Sequence, residues 1–418
     1  MARRSVPRPP AARRLRPWAA VAAAVGGCLL AGCSSAPAPA SAPARPPAAT
    51  APLTTSFGGV GGRAWAIVAM GGSAADDNLF WELFTRPAGS TQWTLVTPPG
   101  VADNGGLVAA VDAGQGLDVA FRPSQGLTFS PLALTGDGGK TWGTGVVDAS
   151  VAAVPDALAL GGGRMLALLG DGSIDQQAAV GAGTTAGQPA ASTGTWTRLA
   201  APGAIAASAA GRACEVTGLT AVSLTSSGTP LVAASCARPG AAGIFVPAGA
   251  GWQAAGPALT GRLAAQPVRV LRLTQFPATS GTAAGQPVAG NMALLQAGSG
   301  SAASLLAAWT TDGSHWTVSP PLAAGGGQVV ASGAGPGATG AWVLLSGGRA
   351  ESVAGPGAAW QALPAPPRGT AVLADGTAGG LDALKVSGGT LTVFQLTAAG
   401  AWRQIQAISV PVQYGSSS

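Results

Sequence analysis

A tryptophan recurs at the start of short strand-like segments, and this repeat is the strongest constraint on the fold. Seven of the twelve tryptophans follow a short turn that contains Gly or Asp, with successive spacings of 49, 54, 56, 64, 44 and 42 residues. Four antiparallel strands and their turns need about 40 to 50 residues, the size of one β-propeller blade. The seven are Trp93, Trp142, Trp196, Trp252, Trp316, Trp360 and Trp402.

The segments between these tryptophans read as strands. Short apolar or alternating runs bounded by Gly, Pro, Asp or Ser recur at residues 65–70, 117–121, 165–169, 231–235, 342–345 and 391–396. No long stretch has a helical period. We therefore predict an all-β propeller of seven four-stranded blades, with six or eight as alternatives. A different β-protein rich in tryptophan could imitate the period, because Trp favours strands.

Two of the seven turns fit a longer motif. Residues 135–142 read TGDGGKTW, and residues 310–316 read TTDGSHW, which is one residue shorter. They match the Asp-box pattern Ser/Thr-x-Asp-x-Gly-x-Thr-Trp, and the chain resembles the sialidase-like propellers with BNR repeats. The other five turns keep only the turn and the Trp. The motif residues are Thr135, Asp137, Gly139 and Trp142 in the first, and Thr310, Asp312, Gly313 and Trp316 in the second.

The resemblance implies a structural role for these turns. In that family the box is the hairpin between the third and fourth strands of a blade, at the periphery and away from the central funnel. An Asp there accepts backbone N–H groups, a Gly adopts positive φ, and the Trp lies between blades. We expect Asp137 and Asp312 to stabilise turns, and His315 to be an exposed turn residue.

Few residues are available for catalysis. A sialidase needs a Tyr–Glu nucleophile pair, but Tyr414 is the only tyrosine and lies in the Ser-rich end. The adjacent acids Asp76 and Asp77 read as a turn, with a functional pair as the alternative. One histidine offers little for a nucleophilic triad, and the sequence shows no metal-ligand cluster. The glycine runs at 161–163 and 325–327 lack the features of phosphate loops. We predict no catalytic residue, metal site or cofactor.

The N-terminus has the pattern of an export signal. A basic segment precedes an apolar run of 13 residues from Trp18 to Leu30. That run is shorter than the roughly 20 residues of a membrane-spanning helix and suits a signal peptide. It ends in Leu30, Ala31, Gly32 and Cys33, which match the bacterial lipobox, and the segment resembles a lipoprotein signal. The resemblance implies that Cys33 carries diacylglycerol.

These features predict four segments: a signal peptide at 1–32, the lipidated Cys and an Ala/Pro-rich tether at 33–52, the propeller at 53–414, and a disordered tail at 415–418. A diacylglyceryl group supplies two chains, enough for stable anchoring without a basic patch. We expect a monomer anchored by lipid to the cell membrane, on its extracytoplasmic face.

The charge distribution argues against a nucleic-acid partner. The net charge is +6, but six arginines and no acid precede residue 33, so the remaining 16 basic residues balance 16 acids. Only two lysines occur, and no polybasic stripe for phosphates is present in the sequence. The six leader arginines are Arg3, Arg4, Arg8, Arg13, Arg14 and Arg16.

Two further cysteines, Cys214 and Cys236, would enter an oxidising compartment after export, where such a pair usually forms a disulfide. Closing a loop of this length would stabilise the fold by about 3 kcal/mol in the chain-entropy model. Two buried free thiols are the alternative.

Two other regions allow two interpretations each. Arg262, Arg269 and Arg272 lie among apolar residues, as on a strand with one wet face, or could form an anion-binding rim. The irregular segments 175–192 and 276–291 are rich in Gly, Ala, Thr and Gln, and could line a glycan or peptide site or serve as spacers.

Together these patterns predict a non-catalytic binding or scaffold protein at the cell envelope, with a glycan or protein ligand. The alternatives are a glycan hydrolase or lyase with an unrecognised site in the funnel, and a purely structural envelope component.

Overall fold

The described part of the chain is built almost entirely from β-strands, as the sequence predicts. The computed structural model describes residues 63–71, 79–97, 109–113, 116–120, 130–135, 137–147, 155–161, 164–178, 196–279, 288–334, 340–376 and 380–410. Residues from Pro46 to Ser418 form one compact unit. The predicted signal peptide, the lipobox with Cys33, the tether, Asp76, Asp77, Tyr414 and the tail lie outside the described residues.

The first three blades are separate antiparallel sheets in which each strand pairs with the next along the chain. Three strands are described in the first blade and four in each of the others. They are β1 (Ala64–Gly71), β2 (Leu79–Arg86) and β3 (Thr94–Leu95); β4 (Ala109–Ala113), β5 (Gly116–Ala120), β6 (Ser130–Thr135) and β7 (Gly143–Val147); β8 (Ala157–Gly161), β9 (Arg164–Leu168), β10 (Ile174–Ala178) and β11 (Trp196–Ala200).

Blades 4 and 5 are joined in one nine-stranded sheet, because β13 pairs with both β14 and β16. The strands are β12 (Val216–Leu224), β13 (Pro230–Cys236), β14 (Gly243–Ala248) and β15 (Gly251–Ala254), then β16 (Val268–Thr279), β17 (Val288–Ala297), β18 (Ser304–Thr310), β19 (Thr317–Val318) and β20 (Leu322–Ala323). Both β19 and β20 pair with β18, so they form an interrupted outer strand.

Blades 6 and 7 complete the propeller as two further four-stranded sheets. Their strands are β21 (Val329–Ala334), β22 (Ala341–Leu345), β23 (Ala350–Val353) and β24 (Trp360–Ala362), then β25 (Thr370–Asp375), β26 (Leu381–Ser387), β27 (Thr390–Leu396) and β28 (Trp402–Ser409). The described strands therefore group into seven blades, and the predicted β-propeller is confirmed.

Short helices occupy connections between strands. The α-helices α1 (Ala204–Ala207) and α2 (Ala209–Cys214) link blades 3 and 4, and 3-10 helices cover Gly261–Ala265 and Gly300–Ala302. Ser208 caps α2 by accepting the Gly211 N–H at 3.0 Å, which satisfies an otherwise free donor of the first turn. The alanines of this Ser-capped stretch favour a helix locally.

The hydrophobic core lies between neighbouring blades. Along β13, Val232 and Ala234 belong to the cluster shared with blade 3, while Leu231 and Ala233 belong to the cluster shared with blade 5. Successive side chains of a strand point to opposite faces, so a second strand enclosed by two blades must be apolar at every position. This explains the continuous apolar runs at residues 231–234 and 341–345, all of them buried.

The up-and-down order of the strands gives each blade two distinct ends. We call the end that carries the connections between blades, including α1, α2 and the 3-10 helix Gly261–Ala265, the linker face; the 3-10 helix Gly300–Ala302 lies at the same end, between β17 and β18 of blade 5. We call the opposite end the turn face. It carries the turns between third and fourth strands, such as residues 137–142 and 311–316.

Two sequence interpretations need correction. The segments 175–192 and 276–291 are not irregular at their ends, because residues 175–178, 276–279 and 288–291 belong to β10, β16 and β17. The small and polar residues at the ends of these segments pair with a neighbouring strand. Their composition, which is poor in the residues that favour strands, hid this from the sequence.

The second correction concerns the three arginines. Arg262 lies in a 3-10 helix rather than a strand, and Arg269 is exposed on β16. Arg272 is half-buried, because a bulge between Val270 and Arg272 places it on the blade 6 side together with Leu271. Of the three arginines, only Arg269 therefore agrees with the prediction of a strand that has one solvent-exposed face.

Candidate functional site

The seven recurring tryptophans all lie at or next to the start of the last described strand of their blade. Trp196, Trp360 and Trp402 are the first residues of their strands, Trp252 is the second residue of β15, and the other three directly precede theirs. Four indole N–H groups donate to the preceding blade: Trp316 to Ala255 O at 2.6 Å, Trp360 to Pro320 O at 3.0 Å, Trp402 to Pro364 O at 3.0 Å, and Trp93 to Asp382 Oδ2 at 2.9 Å.

This donation runs in one direction around the propeller, from each blade to the one before it. For blade 1 the preceding blade is blade 7, so the contact of Trp93 closes the ring across 289 residues of sequence. Trp142 and Trp252 also lie against the preceding blade, in apolar clusters with residues of blades 1 and 3. The tryptophans thus mark the junctions between blades.

The Thr135–Trp142 turn is organised by Asp137. Its Oδ1 accepts the backbone N–H groups of Lys140 and Thr141, both at 2.9 Å, and the hydroxyl of Thr135 at 2.8 Å. Its Oδ2 accepts the Thr141 hydroxyl at 2.6 Å. Gly139 has a φ of 91°, a left-handed conformation that favours glycine. Desolvation raises the pKa of Asp137, but these hydrogen bonds outweigh it and hold the pKa at about 2.

The Thr310–Trp316 turn repeats this arrangement around Asp312. Its Oδ1 accepts the N–H groups of Ser314 and His315 at 2.8 Å and the Thr310 hydroxyl at 3.0 Å. The exposed ring of His315 places Nδ1 2.5 Å from Asp312 Oδ2. The His315 hydrogen bonds are the main cause of a strongly lowered pKa at Asp312. Both Asp side chains are occupied within their turns.

The cysteine pair lies at the linker face. Cys214 ends α2, Cys236 ends β13, and a disulfide joins them with Cα atoms 5.1 Å apart. Because the bond links the connection from blade 3 to the second strand of blade 4, it fixes that connection against the sheet.

The junction of blades 7 and 1 holds a buried polar cluster that the sequence did not reveal. Arg86 and Asp382 are both fully buried, with Arg86 Nε 3.3 Å from Asp382 Oδ2. The Arg86 guanidinium carbon lies 5.9 Å from the centre of the Trp93 ring. The side chain of Gln406 accepts the Trp93 N–H at 2.8 Å and donates to Trp93 O at 2.9 Å. Burial raises the pKa of Asp382, while Trp93, Arg86 and Gln395 act in the opposite direction.

A second polar group lies where innermost strands converge on the turn face. Gln275 of β16 donates through Nε2 to Leu224 O of β12 at 2.6 Å, and its amide lies over Gly161 at the end of β8. A side chain at position 161 would collide with this amide, so glycine permits the approach. One side chain therefore touches blades 3, 4 and 5. We call Gly161, Leu224 and Gln275 the channel cluster.

Arg272 lies on the same strand as Gln275 but faces blade 6 rather than blades 3 and 4. Its Nη1 donates to Ser332 O of β21 at 2.7 Å, and burial lowers its pKa to about 10, so it stays charged at neutral pH. The half-buried Gln275 and Arg272 supply amide and guanidinium groups suited to binding carbonyl or hydroxyl oxygens. No sequence signal singled out Gln275.

Two further features concern metal binding and membrane crossing in the described part of the chain. Within those ranges, no group of three or more His, Cys, Asp or Glu residues could hold a metal ion. Of the helices there, none has the length and apolar character needed to cross a bilayer.

No protein-family model matches the sequence, and no curated protein matches it either. Several solved structures are similar in fold. YCF48 from Cyanidioschyzon merolae is 14% identical, covers 81% of this chain and 98% of its own, and has a TM-score of 0.42. The periplasmic gluconolactonase PpgL of Pseudomonas aeruginosa is 13% identical over 83% and 96%, with a TM-score of 0.48. A lectin of Aleuria aurantia is 13% identical over 85% and 94%, with a TM-score of 0.38.

Proposed function

We propose that this chain is a lipid-anchored extracytoplasmic propeller of the Asp-box type that binds a glycan or protein ligand at the cell envelope without catalysis. The observation that carries the proposal is the use of its acidic side chains. In a hydrolase of this architecture, carboxylates would converge in the funnel to act as acid, base or nucleophile.

Here the described carboxylates with defined partners serve the scaffold. Asp137 and Asp312 are occupied within turns, and Asp382 lies in the junction of blades 7 and 1. Three others form ion pairs with arginines of their own or adjoining strands and loops, namely Asp175 with Arg198, Glu215 with Arg238, and Glu351 with Arg349. The hydrogen bonds that lower the pKa of Asp137 and Asp312 make these two carboxylates poor proton acceptors.

The channel cluster supports a binding role. Gln275 is a neutral donor beside a small and an apolar neighbour, Gly161 and Leu224, and Arg272 is a cationic donor on the same strand. Such a set can recognise oxygen-bearing ligands by hydrogen bonds, whereas it supplies no general base at neutral pH.

The Asp-box assignment is supported by the two turns. In both, a Thr hydroxyl and an Asp carboxylate share the backbone donors, and a Trp follows at the start of the outer strand. These contacts support the proposal that Asp137, Gly139 and Trp142 have the structural roles that the motif implies.

The anchor is tested by replacing Cys33 with Ala in the full chain. If Cys33 carries diacylglycerol, the variant loses radiolabelled palmitate and either leaves the membrane fraction or accumulates as precursor. Cys28→Ala is the matched control, since Cys28 lies inside the apolar run and should not alter labelling. Unchanged lipid labelling of Cys33→Ala would reject the anchor.

The binding role is tested with residues 46–418, the compact unit, on a glycan array and in pull-downs from membrane and cell-wall fractions. We expect Gln275→Ala to lower retention of the ligand at least tenfold. The control is Gln253→Ala, which removes an exposed amide from the outer strand β15 and should have no effect. Release of cleaved glycan would favour the enzyme instead, and equal retention by both variants would reject the channel cluster as the site.

A further inference from the structure

Four exposed arginines lie on the linker face of blades 4 and 5. Arg212 is in α2, Arg238 follows β13, Arg262 is in the 3-10 helix Gly261–Ala265, and Arg269 is the second residue of β16. All four are exposed. We call them the arginine patch. The sequence had grouped Arg262 and Arg269 with Arg272, but the structure separates Arg272 from them and adds Arg212 and Arg238.

The patch is held by a connected set of backbone contacts. Arg238 donates its N–H to Cys214 O at 3.1 Å, directly beside the disulfide that joins α2 to β13. Arg269 pairs across the strands with Ser235. Gly240 donates to Gln266 O at 3.0 Å, which links the chain after Arg238 to the segment between Arg262 and Arg269. The four positions therefore belong to one rigid part of the surface.

The patch carries an excess of positive charge. Among the described residues, Glu215 is the acid within it, 53% exposed and paired with Arg238 at 3.3 Å. In the same described ranges, no carboxylate lies within ion-pair distance of Arg262 or Arg269. Four arginines against one glutamate leave three positive charges. On the same face the described loops of blade 3 carry Asp156 and Asp171, whereas the connections of blades 6 and 7 carry the exposed Arg349, paired with Glu351, and the exposed Arg368.

The spread of these arginines fits a surface of many anions better than a single small ion. Each arises from a different element, so their side chains cover the ends of two blades rather than converge on one point. A sheet of lipid phosphates offers anions at many positions, and each arginine near such a surface strengthens binding roughly fivefold. A tether that holds the domain close to a membrane raises the effective concentration of that surface.

We propose that the arginine patch docks the linker face of blades 4 and 5 onto the anionic phospholipid headgroups of the membrane that carries the chain. The physiological setting rests on the proposed lipid anchor. The docking orients the propeller, so that the turn face with the channel cluster points away from the bilayer and stays accessible to ligand.

The test uses residues 46–418, which lack both Cys33 and the leader arginines, and vesicles of phosphatidylglycerol and phosphatidylcholine. Co-sedimentation is measured at low and high salt. Arg262→Gln/Arg269→Gln should weaken binding roughly 25-fold, and high salt should abolish it. The matched control is Arg164→Gln/Arg403→Gln, which removes the same charge from exposed residues at the turn-face ends of β9 and β28.

The outcomes separate the explanations. A loss confined to the patch variant, with no binding to pure phosphatidylcholine, supports the docking surface. Equal losses in both double variants would overturn it, because net charge alone would then explain binding. Absence of binding by the parent, or full competition by soluble glycerol phosphate, would also overturn it. Palmitate labelling of Cys33 is unaffected by any of these results, so failure of the patch and failure of the anchor are distinguishable.

Discussion

The junction between blades 4 and 5 and the junction between blades 7 and 1 are held together by different means. Blades 4 and 5 share a continuous sheet through β13 and β16, a large apolar cluster, and one hydroxyl-to-amide hydrogen bond from Ser223 to Asn291 at 2.6 Å. Blades 7 and 1 also share apolar residues, but add a buried ion pair and the bidentate contact between Gln406 and Trp93.

The difference follows from chain connectivity. Blades 4 and 5 are consecutive, so a short connection brings them together, and the polar contacts between them, such as Gln275 with Leu224 O and Trp316 with Ala255 O, are neutral hydrogen bonds. Gln406 and Trp93 are 313 residues apart, and no connection aligns their blades. Directional polar contacts that must all be satisfied select one register at that junction, whereas apolar contact alone tolerates shifts.

The largest effect should come from breaking the ion pair. Asp382→Ala leaves the buried Arg86 guanidinium without its carboxylate, which costs about 3–5 kcal/mol of unfolding free energy. Ser223→Ala at the other junction removes one hydrogen bond and should cost about 1–2 kcal/mol. Urea unfolding of both variants gives the comparison. Equal losses of unfolding free energy in the two variants would mean that the ion pair at one junction stabilises the fold no more than the hydrogen bond at the other.

A smaller effect is expected at a junction of consecutive blades without buried charge. Trp142 is half-buried against blade 1, beside Trp65 and Val96, and Trp142→Ala should lower stability by about 3 kcal/mol. Trp142→Phe keeps most of the apolar contact and should lose much less. Calorimetry of the two variants tests this. Loss of a ligand with an unchanged melting temperature would assign Trp142 to binding instead.

The smallest effect concerns pH. The folded pKa of Asp137 is about 2, below its ordinary value of 3.8, so its stabilising contribution is present above pH 4 and is lost as the pH falls towards 2. Asp382 has a raised pKa, and its contribution changes in the opposite sense, being lost as the pH rises through its folded pKa.

Melting temperatures between pH 2 and 6 therefore separate the two acids. Asp137→Asn should remove part of the loss below pH 4, and Asp382→Asn should leave that loss in place. A parent protein with the same melting temperature at pH 2 and pH 4 would contradict the assignment for Asp137.

The sequence predicted the fold because its signals are local. A Trp after a glycine turn identifies the start of an outer strand from a few neighbouring residues, as at Trp360 and Trp402. The Asp137 and Asp312 turns are similarly local, because every partner lies within five residues. Alternation and apolar runs then place the remaining strands.

The features that the sequence left hidden depend on distant residues or on backbone irregularity. No residue near Arg86 or Asp382 in the sequence indicates that these two side chains form a buried ion pair. Gln275 looks like any polar residue of a strand, and its contact with Leu224 requires that innermost strands of different blades end together. A one-residue bulge before Arg272 reverses its expected direction and cannot be read from composition.

The contact between Trp93 and blade 7 also affects the order in which the blades complete their folding. Ribosomes make the first blade early, yet its tryptophan gains Asp382 and Gln406 as partners only when almost all of the chain has emerged. Contacts across so many residues form slowly. The ring therefore closes late in folding, and a chain stopped before β28 would keep Asp382 as the partner of the Trp93 indole but lack Gln406, the partner of the Trp93 backbone.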